Sequence, residues 1–201
     1  NELKYYQQAL ILNRELGNKD GEFRTLSNMG WHYNSQKNYD KAIDFWQQSL
    51  VVVREVQNKS LESLTLIQIG DTYSNQFQSD KAISFYQQAL SITQTLKNKP
   101  QEGSILAKLA NTYFSLNQYE KAIDNYQQAL LIAREIPNNK SQTGALLYLL
   151  GDAYFKIKQY QQSLSIYQQA LPIAKEITNK SLEAQILDRI GDSYFNLQQY
   201  D

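Results

Sequence analysis

The sequence predicts an all-α solenoid of stacked antiparallel helix pairs. Three observations carry the prediction. The segment Tyr86-Gln87-Gln88-Ala89-Leu90 recurs almost unchanged at Tyr6 to Leu10, Trp46 to Leu50, Tyr126 to Leu130 and Tyr167 to Leu171. Its aromatic residue stands at 6, 46, 86, 126 and 167, in steps of 40, 40, 40 and 41 residues, a period that marks stacked supersecondary units rather than one closed core. Apolar positions follow helical spacing, and only three prolines interrupt 201 residues.

A second block lies upstream of each such segment. It reads Leu66-Ile67-Gln68-Ile69-Gly70-Asp71-Thr72-Tyr73, with counterparts ending at Gly30/Tyr33, Ala110/Tyr113, Gly151/Tyr154 and Gly191/Tyr194. This is helix A, and the Tyr-Gln-Gln-Ala-Leu segment is helix B. Leu66, Ile69, Gly70 and Tyr73 fall at i, i+3, i+4 and i+7, one face of an α-helix. A mid-helix glycine costs about 1 kcal/mol against alanine, so its recurrence predicts a close neighbour, and Ala110 meets the same need. In helix B, Ala82 and Ala89 flank Tyr86, a small–large–small pattern suited to interlocking helices.

The boundaries follow from polar residues. Short turns such as Asn117-Gln118 separate A from B, and Asp40, Asp80 and Glu120 open helix B where the helix dipole favours acids. Arg14, Arg54, Arg134 and Lys175 lie towards its other end. Asn-Lys pairs at 18, 58, 98, 139 and 179 are read as helix stops, since asparagine tolerates the left-handed conformation. Helix A then starts on Ser60, Ser141, Ser181 or Asp20 as N-cap. Residues 1–21 are thus helix B of a preceding repeat, 22–60, 61–100, 101–140 and 141–181 are full A–B repeats, and 182–201 is helix A of a following repeat, about ten helices. The next helix B should open at Tyr200-Asp201. Neither end carries the polar capping helix that solenoids need, so a single solenoid cut from a longer protein is expected.

Composition removes several function classes. Twenty basic and 20 acidic side chains give zero net charge, which argues against a nucleic-acid or anionic-membrane surface. The absence of cysteine excludes disulfides, thiolate metal sites and cysteine nucleophiles, and is compatible with a reducing cytoplasm. His32 is the sole histidine and has no acidic or nucleophilic partner at helical spacing. No Gly-rich phosphate loop occurs. No catalytic residue, cofactor or metal site is expected.

The combination Leu66, Ile69-Gly70, Tyr73, Ala82, Tyr86, Ala89, repeated over the whole chain, resembles the tetratricopeptide repeat. The usual period there is 34 residues with a proline closing helix B. The 40-residue step and missing proline resemble the long-repeat subclass of Pins-type adaptors, kinesin light chains, Rap-type regulators and cyanobacterial multidomain proteins, and predict a helix B longer by more than a turn. The resemblance implies a right-handed superhelix whose inner face is lined mainly by helix A.

On that reading three columns face the groove. The residue after the glycine is Trp31, Asp71, Asn111, Asp152 or Asp192; four residues before that come Ser27, Ile67, Ala107, Tyr148 and Asp188; three after it come Asn34, Ser74, Phe114, Phe155 and Phe195. The groove candidates are Trp31, Asn34, Asp71, Ser74, Asn111, Phe114, Tyr148, Asp152, Phe155, Asp188, Asp192 and Phe195. Short polar side chains in a row suit the backbone of an extended peptide, as asparagine does in the long-repeat families, although they suit plain solvation too. Trp31 breaks the column and reads as a stacking surface or lid. The phenylalanines read either as anchors for a partner or as packing against the adjacent helix. The chaperone-tail clamp of some family members needs basic residues at positions held here by Ser27, Ile67, Ala107, Tyr148 and Asp188, so that ligand is not expected. For Lys108, Lys156 and Arg189 solvated surface is the plainer account.

The expected function is therefore a non-catalytic, cytoplasmic scaffold for an extended peptide or helical segment. The alternative is the regulatory or substrate-recruiting region of a larger enzyme such as a CHAT-type protease. The partner is a protein or peptide, with no nucleic acid or membrane. The chain is expected to be a monomer or to associate end to end.

Overall fold

A computed structural model describes residues 2–197. Its ten helices are α1 (Glu2–Glu15), α2 (Lys19–Ser35), α3 (Tyr39–Glu55), α4 (Lys59–Asn75), α5 (Ser79–Thr95), α6 (Lys99–Ser115), α7 (Tyr119–Glu135), α8 (Lys140–Lys156), α9 (Tyr160–Glu176) and α10 (Lys180–Asn196). The expected helix start at Tyr200-Asp201 lies outside the described residues. The chain divides into two compact units, Asn1–Asn98 with α1 to α5 and Lys99–Asp201 with α6 to α10. Within each unit, consecutive helices pack on one another. Even-numbered helices are A helices and odd-numbered ones B helices.

Helices α2 to α10 each contain 17 residues. This corrects the expectation that the long period lengthens helix B alone: A and B are equal. The connector explains the rest of the period. After α2, the N–H of Lys37 bonds to the carbonyl of Asn34 and that of Asn38 to Tyr33, with Lys37 at φ 59°. That is a Schellman closure, and its last residue is already the N-cap of α3. The same pair of bonds follows α1, α3, α4, α5, α6, α8 and α9. Two 17-residue helices and two three-residue connectors make one repeat. The connector between α7 and α8 holds four residues, 136–139, and supplies the 41-residue step.

The caps also correct the sequence reading. Asn18, Asn58 and Asn179 are N-caps with negative φ, their side chains accepting from the amides of Gly21, Leu61 and Leu182, and Asn38 caps α3 through Lys41. The serines and Asp20 fall inside the first turn. The left-handed residue is the one before the cap, namely Gly17, Gln57, Asn138 or Thr178. An asparagine serves either role, so its presence alone did not decide which.

The core is as the periodicity predicts. Leu66, Ile69, Ala82 and Ala89 are fully buried and Tyr86 nearly so. The conserved spacing of glycine and aromatic has a direct cause: a Cβ on Gly30, Gly70 or Gly151 would stand 2.8, 2.6 or 2.5 Å from the ring of Trp46, Tyr86 or Tyr167. What approaches the glycine is thus a ring of the following B helix. Burial of such a ring contributes about 2–3 kcal/mol; in α6–α7 Ala110 holds the glycine's place, and Tyr126 is buried there too. Pro172 lies inside α9 on its exposed side.

Acidic residues near the start of several A helices add a second inter-helix link. Glu22 and Glu62 are buried at 6 % and 5 % exposure, and they pair with Arg14 and Arg54 at 2.7 and 2.8 Å and with Lys19 and Lys59 at 3.2 and 2.7 Å. Burial alone pushes Glu62 up, but the Lys59 and Arg54 hydrogen bonds and charges outweigh it, so its carboxyl is held below the ordinary value. Glu22 behaves alike with Arg14 and Lys19.

Candidate functional site

The polar column on the A helices is held from below. Tyr86 donates its hydroxyl to Asp71 at 2.6 Å, Tyr126 to Asn111 at 2.5 Å and Tyr167 to Asp152 at 2.5 Å. Each pair is 15 residues apart. The ring that fills the glycine notch therefore also fixes the neighbouring acid or amide. Burial pushes the phenols of Tyr86 and Tyr167 well up, with the Asp71 and Asp152 carboxylates reinforcing it, so both remain protonated donors at neutral pH. Burial and the charge of Asp152 do the same for Tyr126.

In the first unit, Asp71 and Ser74 converge on the Tyr86 hydroxyl. Trp31 is 50 % exposed and meets Trp46 edge-on with ring centroids 5.5 Å apart. The Nε1 of Trp46 and the Oδ1 of Asn34 are buried without hydrogen-bond partners. Two neighbours of the column behave otherwise than expected. Ile67 is buried rather than groove-facing, and Ser27 bonds to Ser49 at 3.1 Å.

In the second unit, Arg189 gathers the candidates of α8 and α10, two A helices that touch. Its Nε pairs with Asp152 at 2.9 Å and its Nη1 with Asp192 at 3.3 Å. Its guanidinium lies 6.0 Å from the Phe155 ring centroid, a cation–π distance. Burial opposes the charge on Arg189, but Asp152 and a hydrogen bond with Tyr148 outweigh it and raise its pKa, so it stays cationic. Arg189 is therefore part of a network and not merely solvated surface. Tyr148 also lies 6.1 Å from the ring of Tyr167. Phe114 and Phe155 turn their rings to Tyr119 and Tyr160, at 5.2 and 5.1 Å, and are half-buried. Asp188 and Asp192 are exposed, and Phe195 is 65 % exposed.

The structure thus brings together Tyr148, Asp152, Phe155 and Asp192 around Arg189, and Asp71 with Ser74 around Tyr86. Asn111 and Phe114 are tied to their own B helix. The Tyr–Asp links were present in the sequence as a constant separation of 15. The exposed glutamines of helix B likewise reach across to neighbours: Gln127 donates to the Tyr154 hydroxyl at 2.8 Å, and Gln48 and Gln169 accept from Arg14 and Arg134. Among the described residues no group of acids and histidine is placed to hold a metal ion. No helix there is long and apolar enough to cross a membrane.

The family model of the tetratricopeptide repeat matches residues 22–95, 61–135 and 101–176. The chain belongs to the tetratricopeptide repeat family. No curated protein matches it in sequence. Solved structures share its fold at low identity. BtubC (BKLC) from P. vanneervenii matches with TM-score 0.82 and 16 % identity, over 98 % of this chain and 83 % of that one. A signal transduction ATPase with numerous domains from Pyrococcus horikoshii, described as having a tetratricopeptide repeat sensor, matches with TM-score 0.88 and 21 % identity over 98 % of this chain and 30 % of its own. A Rap protein complexed with competence and sporulation factor matches with TM-score 0.65 and 20 % identity, over 94 % and 54 %.

Proposed function

We propose that this repeat chain is a non-catalytic, cytoplasmic scaffold that holds an extended peptide or helical segment against its A helices. The observation that carries the reading is the α8–α10 face. There two half-buried aromatics, Tyr148 and Phe155, lie beside Asp152, Asp188, Asp192 and Arg189. A large apolar side chain of the ligand rests on the aromatics, where hot-spot energy concentrates. Three carboxylates against one guanidinium favour ligand N–H groups and basic side chains. Because Asp152 is already fixed by Tyr167 and Arg189, little ordering cost falls on the receptor. The Rap protein solved with competence and sporulation factor supports the class of ligand, for that protein. In the second unit Asn111, Phe114 and Phe195 complete the proposed contact set; in the first unit Trp31, Asn34, Asp71 and Ser74 form a candidate set of their own.

The test is selection of a displayed random-peptide library on the purified chain. Enriched peptides should pair a basic residue with an aromatic or large aliphatic one. Phe155→Ala combined with Asp192→Asn should weaken them at least about tenfold, or ~1.4 kcal/mol, with unchanged far-UV circular dichroism. Full binding by that variant places the site elsewhere.

A second reading is favoured by the sensor region of the Pyrococcus protein, of which this chain covers 30 %. The repeats then recruit or sense for a larger enzyme. An effector domain, such as a CHAT-type protease, in the same reading frame decides for it.

A further inference from the structure

We propose that the connector end of the α8–α9 pair is a docking point for a lysine side chain of a protein partner, with the ammonium group over the ring of Tyr154. Three other helix pairs show what this place takes. Lys41 stands over the Tyr33 ring with its Nζ 5.1 Å from the centroid, Lys81 over Tyr73 at 5.1 Å and Lys121 over Tyr113 at 5.3 Å. Each is a cation–π contact between the last turn of an A helix and the first turn of the B helix after it. In α8–α9 the tyrosine is kept as Tyr154, but Gln162 stands at the lysine position. No cation lies over that ring among the described residues.

The other parts of the place are present. A cleft of about 420 Å³ lies against Tyr154, lined also by Gln161, Gln162, Ser165 and Ile166. The first two pairs put Phe45 and Phe85 at the position of Ile166, stacked on Tyr33 and Tyr73 at 5.5 Å; the smaller isoleucine leaves room for the methylene stem of a lysine. Gln127 donates to the Tyr154 hydroxyl at 2.8 Å and so holds the ring. In α6–α7 the Nζ of Lys121 also donates to the Oε1 of Gln118 at 2.9 Å. Gln159 takes the place of Gln118 in α8–α9, and its side chain makes no cap hydrogen bond, so the acceptor is available. Charge agrees. Asp40 and Asp44 line the cleft shared by Tyr73 and Lys81, and Glu120 and Asp124 stand at those positions of α7, both exposed.

The site does not depend on where the sequence stops. The α2–α3 pair has helices packed before and after it, α1 and α4, yet Lys41 is exposed there and Tyr33 only half-buried. A following repeat therefore leaves this place open to solvent. The occupant is a side chain of a protein rather than a free amine, because one cation–π contact and one hydrogen bond at an open ring are too weak to hold a small molecule by themselves. The site shares no residue with the α8–α10 face, so it stands or falls independently of the function proposed above.

Nuclear magnetic resonance of the chain with labelled tyrosine rings tests this, with the capped tripeptide Gly-Lys-Gly as probe. The Tyr154 ring, identified as the signal missing from Tyr154→Phe, should shift saturably at millimolar peptide, and capped Gly-Gln-Gly should leave it unmoved. Gln162→Lys changes an exposed position and should leave the far-UV circular dichroism unaltered. It should weaken the lysine peptide at least about tenfold, because a tethered ammonium fills the place from within. Its ε-methylene should also show the upfield ring-current shift expected of Lys41 and Lys81, which stand over their own tyrosines. A Tyr154 signal that does not saturate, an equal response to Gly-Gln-Gly, peptide binding that survives Gln162→Lys, or an unshifted ε-methylene overturns the proposal.

Discussion

In the α8–α9 pair the Tyr167 ring fills the notch of Gly151 and its hydroxyl donates to Asp152; in the α2–α3 pair the Trp46 ring fills the notch of Gly30, and the neighbouring position holds Trp31. The two pairs share backbone and packing plan. They differ in what the aromatic can offer at its tip. A phenol hydroxyl is met by a carboxylate or amide in α4–α5, α6–α7 and α8–α9. An indole has no such group in that place, and its partner is a second indole packed edge-on. The polar column on the A helices is thus selected partly by the B helix beneath it. The proposed reading assigns ligand specificity to the members that the B helix does not already use, such as Asp188, Asp192 and the exposed edge of Trp31.

The largest expected effect tests the shared plan. Gly151→Leu or Gly30→Leu forces a side chain into a ring 2.5 or 2.8 Å from the new Cβ, and overpacking of this kind costs about 3 kcal/mol. Gly191→Leu, with open space around it, should cost nothing in the monomer. Urea titrations of the three variants give the comparison. Equal stability of all three would mean that the glycines are not set by the aromatic rings.

Next comes the difference between the pairs. Asp152→Ala strips the acceptor from the buried Tyr167 hydroxyl and the partner from Arg189, for an expected loss of about 1–3 kcal/mol. Trp31→Ala removes an edge contact from a half-exposed ring and should cost about 1 kcal/mol or less. If the two variants lose equally, the column contributes alike whatever its chemistry. A swap sharpens the point: Trp31→Asp and Trp46→Tyr together should recover part of the sum of the single losses, with a coupling of about 1 kcal/mol. Strict additivity would show that no Tyr–Asp bond forms in α2–α3.

The repeat and its buried face were legible because they rest on one pattern present in five copies, and packing leaves little freedom at Leu66, Gly70 or Ala89. The cap positions were misread by two residues because Asn18, Asn58 and Asn179 combine two propensities, N-cap and left-handed, and only the hydrogen bonds to the third amide onwards decide. The candidate face was legible as a set of positions. Its internal wiring was not, because Asp71–Tyr86 and Asp152–Tyr167 join two helices across a turn and no single-helix pattern shows them. The signal that could have found them is the joint change of Asp to Trp at 31 and Tyr to Trp at 46. Arg189 gave a weaker signal: its position is basic elsewhere only in α6, as Lys108, and holds Asn28, Gln68 and Leu149 in α2, α4 and α8.

The smallest effect concerns a contrast in acid sensitivity between the same helices. Glu22 and Glu62 lie near the starts of α2 and α4, buried and paired with an arginine and a lysine, whereas the matching position of α8 is Thr143. Both carboxyls are held below the ordinary value of 4.5 in the folded chain. A group lowered by folding contributes stability above its unfolded pKa and loses it as the pH falls through the folded value. The contribution of Glu22 and Glu62 is therefore full at pH 7 and declines from about pH 4.5 downward. Glu62→Gln should cost about 1 kcal/mol at pH 7, and the difference from wild type should shrink as the solution is made more acid. Thr143→Ser, which carries no titrating group, should leave the pH dependence unaltered. Urea midpoints measured from pH 7 to 3 would show it. A Glu62→Gln deficit that stayed constant across that range would mean that the residue acts through packing, and that the Arg54–Glu62 pair adds no electrostatic stability to α4.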